Sequence, residues 1–145
     1  VRKGEIVEKV EKLRLSNVRV LTAVPRAAMN EVMAASDVAI ISLAPAMLGL
    51  GTPGKLYSIL ASGRPIIGMV PSASEVALIL EEENCGINVA DGDAEALARA
   101  IIRLQQDNEL VLCMGQRARQ SLERRFTLQQ SADSFYQVLV FASRY

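Results

Sequence analysis

The stretch DVAIISLAPAMLGLGTPGKLYSILASGRPIIGMV, residues 37–70, decides how the rest of the chain is read. Asp37–Leu43 is a short apolar run rich in β-branched residues, with no polar alternation. That is the pattern of a strand buried on both faces. Ala44–Gly54 holds three glycines and two prolines and reads as a loop. Lys55–Ser62 has the spacing of a short helix, and Gly63 stands where a helix is stopped by a left-handed residue. Pro65–Val70 is a second buried strand. A strand, a long connection carrying a helix, and another strand make a βαβ unit, whose strands run parallel.

The same alternation extends outward in both directions. Upstream, Glu5–Leu15 carries Ile6, Val10 and Leu13 at helical spacing. Asn17–Leu21, NVRVL, reads as a short strand, and Pro25 opens a helix reaching about Ser36 with Met29, Val32 and Met33 inward. Downstream, Ser72 and Glu75 form an S-x-x-E capping box for a helix with Val76, Ile79 and Leu80. Gly86–Ala90 is a further strand. Asp93 caps a helix with Leu97, Ala100, Ile101 and Leu104 on one side. Another helix is expected from near Asn108 to near Arg125. Thr127 and Gln130 make a second capping box, and the helix after it presents Leu128, Phe135, Tyr136 and Leu139.

The fold class is therefore α/β: a Rossmann-like parallel sheet with helices on both faces. Residues 1–145 are read as a single domain, with no linker, repeat or low-complexity tract. An open doubly wound sheet normally has about five strands or more. Only four are legible here and the chain opens on a helix, so the first strand or two are expected upstream. A sheet cut in this way leaves an edge open to pairing with another chain.

Composition narrows the chemistry. Half of the residues are hydrophobic, aromatics make up only 4%, and there is no Trp, so Ala, Val, Ile and Leu must build the core. Lys and Arg together number 16, as do Asp and Glu, and a net charge of zero does not suit a nucleic-acid binder. Arg117, Arg119, Arg124 and Arg125 cluster, but with Glu123 among them the plainer reading is a solvated helix face. The chain has no His, and Cys85 and Cys113 lie far apart. That pattern removes most transition-metal sites and all His-dependent triads. Both thiols read as small core residues in a reduced, cytoplasmic setting. No apolar run suits a membrane span and the first residues read as charged helix, not as a leader. Contact of a surface helix with a membrane is left open.

In an open parallel sheet, ligands bind beyond the carboxyl ends of the strands. Two segments there have a suitable composition. Gly49–Lys55, GLGTPGK, follows a buried strand and feeds a helix. Its glycines admit close backbone approach, the helix start offers free N–H groups to an anion, Thr52 can donate, and Lys55 adds positive charge. It is not a Walker loop, because Leu56 follows Lys55. Its plainer reading is a Gly/Pro loop with a surface lysine. Pro71–Glu75 is the second segment, where Ser72 and Ser74 could touch a phosphate or hydroxyl. Its plainer reading is helix capping alone.

GTPGKLYSILASGRPIIG, residues 51–68, resembles the donor-site segment of GT-B-type glycosyltransferases of the retaining group called family 4, also known as group 1. There a TPSK-like turn leads into a helix ending in A-x-G-x-P-v-I, matched by Ala61, Gly63, Pro65, Ile66 and Ile67. ENCGINVADGDAEALARAI and MGQRARQSLERRFT are similar to two later signatures of the group. NVRVLTAVPRAAMNEVMAASDVAIISL resembles its strand, "vP", helix and "A-D-V" passage. The match keeps its order over nearly the whole chain.

The resemblance implies the C-terminal, donor-binding half of a two-domain enzyme that transfers a sugar from a nucleotide diphosphate sugar without a metal or other cofactor. A role in cell-surface polysaccharide or glycoconjugate synthesis follows from the same likeness. Gly51, Thr52, Pro53 and Lys55 would line the diphosphate side, with Ser72 and Ser74 nearby. No catalytic residue is assigned. Two departures stand out. The Glu that usually binds the donor ribose falls at Ser58; an earlier Glu, which some members lack, falls at Leu50 and says less. The N-terminal acceptor domain is also absent, so little activity is expected of this stretch alone. A degenerate partner module and a sugar-nucleotide epimerase on the same fold are the alternatives, the second disfavoured by the lack of His.

Overall fold

A computed structural model describes residues 3–144. Three strands form one sheet: β1 (Ala39–Ser42), β2 (Ile66–Met69) and β3 (Gly86–Val89), in the order β1-β2-β3. Both pairings are parallel, with Ile40 beside Ile67 and Ile67 beside Ile87. The helices are α1 (Lys3–Lys12), α2 (Met29–Ala34), α3 (Lys55–Ser62), α4 (Glu75–Glu83), α5 (Ala94–Gln106), α6 (Asn108–Arg125) and α7 (Leu128–Ala142).

Successive strands step the same way across the sheet, so right-handed crossovers place α3 and α4 on one face. That face holds the larger core: Ile41 and Ile66 from the strands, Leu56, Ile59 and Leu60 from α3, and Val76, Ile79 and Leu80 from α4. The opposite face packs Ile67 and Val89 against Ala100 and Leu104 of α5 and Met114 of α6. Each fully buried Leu or Ile here contributes about 1.5–3 kcal/mol. Helices thus cover both faces, as the alternating pattern predicts.

The connection between α3 and β2 explains where α6 lies. Gly63 ends α3 at φ 64°, a left-handed conformation that favours glycine. Gly115 of α6 packs so close to it that a Cβ there would stand 2.3 Å from the Gly63 carbonyl oxygen. The helix therefore crosses beside the amino end of β2. Its far end brings Phe126 against Tyr57, with ring centroids 5.5 Å apart.

Four expectations are corrected. Asn17–Leu21 forms no strand; Val18 and Leu21 are exposed and the segment joins no ladder. Alternating β-branched residues specify a strand only where a neighbour supplies the pairing. The described sheet accordingly has three strands where the pattern suggested four. The first helix stops at Lys12, because Arg14 turns left-handed at φ 50° and Leu15 N–H closes back onto the Val10 carbonyl, a Schellman termination. Val32 faces outward, since the helix begins only at Met29 after a single 3₁₀ turn over Arg26–Ala28. The fourth concerns the cap of α4. Ser74 caps it, not Ser72: Ser74 N–H closes a turn onto the Pro71 carbonyl, and its Oγ accepts from Ala77 N–H at 3.2 Å. The caps at Asp93 and Thr127 form as the sequence predicts, the latter as a full capping box with Gln130.

Candidate functional site

The loop after β1 is built to stay open. Gly49 and Gly51 hold φ 79° and 135°, and a Cβ at either, or at Gly54, would meet no neighbouring atom. Any other residue would be strained at Gly49 and Gly51, and the space in front of the loop is unfilled. Across from it stands the start of α4, where Ser74 is buried with its hydroxyl already engaged as the cap. Between the two runs a groove of about 500 Å³, at the carboxyl ends of β1 and β2. Thr52 Oγ1 donates to Glu75 Oε2 at 2.9 Å and ties the two walls together.

The groove continues along α4 to Glu82 and to Arg125 at the end of α6. There Arg125 Nη1 donates to Glu82 at 2.8 Å and to Glu83 at 2.6 Å, and its guanidinium lies 5.1 Å from the centre of the Phe126 ring. Arg124 also pairs with Glu83. Burial works to raise the Glu83 carboxyl, but the hydrogen bonds from Arg125 and Arg124 outweigh it and hold the group below the ordinary carboxylate value of 4.5. The Arg125 guanidinium is held the more firmly protonated, first by its hydrogen bonds to Glu82 and Glu83. This arginine is thus committed to the protein's own carboxylates.

The sequence-predicted residues separate into two sets. Gly51, Thr52, Pro53 and Ser74 line the groove. Lys55, Ser58 and Ser72 are exposed and lie outside its lining. Lys55 opens α3, one turn from Thr52, and its side chain makes no hydrogen bond or ion pair among the described residues. Ser58 sits on the outward side of α3, whose Leu56, Ile59 and Leu60 are buried. Ser72 lines a smaller hollow beside Gly86 and Asn88. Leu50 is 72% exposed. Sequence reasoning missed Glu75 and Arg125 as groove residues. Glu75 looked like a capping partner, and Arg125 reaches the groove only through contacts made 42 and 43 residues away. Among the described residues no three Cys, Asp or Glu side chains converge as a metal site would require.

The family model for glycosyl transferases group 1 matches residues 2–107, which takes in the whole sheet, the glycine loop and α4. The chain belongs to this family. Within the group 1 glycosyltransferases it is similar to the probable glycosyltransferase WbjE of Pseudomonas aeruginosa, at 35% identity over 102 residues. That alignment covers 68% of this chain and 26% of the relative, so the chain spans about a quarter of that protein's length. The group 1 assignment agrees with the parallel α/β sheet.

Proposed function

We propose that this chain is the donor-binding part of a glycosyltransferase that moves a sugar from a nucleotide diphosphate sugar to an acceptor held by another domain. The observation that carries the reading is the open groove between the Gly49–Gly54 loop and the start of α4. The family supplies the class of reaction, and the groove supplies a place of the right kind. In this reading the diphosphate lies on the loop side, near the start of α3, where Gly54 carries no side chain to shield the backbone. Lys55, unpaired and three residues beyond Thr52, swings in to balance the charge that grows on the leaving diphosphate. The protein acts by holding the donor and by electrostatics, with no metal needed. A role in cell-surface polysaccharide or glycoconjugate synthesis, and a cytoplasmic location, belong to the same proposal. No helix among the described residues is long and apolar enough to cross a membrane.

Calorimetric titration with UDP, GDP and ADP in the presence of a chelator tests this. One nucleotide should bind saturably, and Lys55→Ala should weaken it about tenfold, the value of one charged hydrogen bond. Equal affinity in the variant removes Lys55 from the site. Absence of binding to all three removes the donor reading.

Two observations favour a second reading, a partner module that has given up its donor. Ser58 replaces the family's ribose carboxylate, and Arg125, the cation lining the groove, is bound to Glu82 and Glu83. A large gain in nucleotide affinity on Ser58→Glu would speak for an intact pocket and against this second reading.

A further inference from the structure

We propose that Glu75 recognises a pair of neighbouring hydroxyls on the donor, with Thr52 holding its carboxylate in place. The inference rests on the donor-groove reading and deepens it. Three charged side chains line the groove: Glu75, Glu82 and Arg125. Glu82 is neutralised by Arg125 at 2.8 Å. Glu75 has no cationic partner among the described residues, and its one hydrogen bond there comes from a neutral hydroxyl. A first-turn carboxylate stabilises a helix, but α4 is already capped by Ser74. Glu75 instead reaches to Thr52, 23 residues earlier, across the mouth of the groove.

An uncompensated carboxylate repels a phosphate but accepts from hydroxyls, and it can accept from two at once. A vicinal diol is the donor group that matches it. The ribose and the transferred sugar both carry such a pair. Ser58 lies outside the groove lining, so the carboxylate that meets the donor's hydroxyls is the one at the start of α4. The Thr52 hydroxyl fixes one oxygen of Glu75 and leaves the other free, which pre-orders the acceptor before the ligand arrives.

The test is a titration of the protein and of Glu75→Gln with UDP, GDP and ADP, with their 2′-deoxy forms, and with their glucose conjugates. Glu75→Gln should weaken the ribonucleotide about tenfold and leave its 2′-deoxy form unchanged, if the ribose is the partner. If the transferred sugar is the partner, the loss appears only with the glucose conjugate. Thr52→Val should reproduce part of the loss, and Thr52→Ser should restore binding. A Glu75→Gln variant that binds all ligands as the parent does overturns the assignment, as does one that weakens ribo- and deoxy-forms equally. In both cases the donor groove itself still stands. A parent protein that binds none of the ligands overturns the groove reading and this inference together.

Discussion

Gly115 shows packing overruling local preference. Inside a helix, glycine is about 1 kcal/mol worse than alanine. A Cβ here, however, would stand 2.3 Å from the Gly63 carbonyl oxygen, a backbone atom that cannot rotate away. Overfilling a tight contact costs about 1–3 kcal/mol. Gly115→Ala should therefore lower stability by about 1–2 kcal/mol, read as a shift in the urea midpoint. Cys85 makes the second case at this scale. It is fully buried, and burial pushes its thiol up to about 11, with the Glu83 charge adding to the shift. Thiolate is the reactive form, so a thiol reagent at about pH 8 should modify Cys113, which is partly exposed, and spare Cys85 until the protein unfolds. Mass spectrometry of the labelled peptides checks this.

Among the elements, the junction of α4 with α6 depends on acidity. Glu83 is held below its ordinary value in the folded chain, so the folded state keeps its carboxylate charged where the unfolded chain binds a proton. Its contribution is present above the ordinary value and fades as pH falls through the folded one. Arg125→Ala should thus lower the Tm at about pH 7 and narrow the difference between about pH 7 and about pH 3. An unchanged acid limb would show that the pair adds nothing to stability. At this scale the sequence was informative wherever the signal is local. The Gly63 stop, the Asp93 cap and the Thr127 capping box are set by neighbours within four residues, and the β1 and β2 runs are each legible from their own unbroken apolar character. Asn17–Leu21 failed because a strand needs a partner that its own residues do not name. The cap of α4 moved from Ser72 to Ser74 because a turn at Pro71 takes up the first serine. The groove was half legible: the glycine loop is local, whereas Thr52 with Glu75 and Arg125 with Glu82 meet only through the fold.

Across the whole molecule, burial is uneven. The sheet with α3, α4 and α5 holds most of the core, while α7 buries no residue, and Phe135 and Leu139 on it are 73% and 67% exposed. Leu60→Ala, at the centre of the core, should cost about 2–5 kcal/mol. Phe135→Ser and Leu139→Ser should stay within about 0.5 kcal/mol, measured by the same denaturant titration. A large loss on α7 would mean that its apolar side is covered in solution.

The pairing of Tyr57 with Phe126 has an optical consequence. The chain has three tyrosines and no tryptophan. Tyr136 is exposed, and Tyr57 is packed against a ring at 5.5 Å. Near-ultraviolet circular dichroism from residues 3–144 should therefore be dominated by the seam between α3 and the end of α6. The dark background above the tyrosine emission band also suits a single introduced indole: Leu48→Trp, on the groove wall, would report ligand arrival by its own colour shift, with no native indole to subtract.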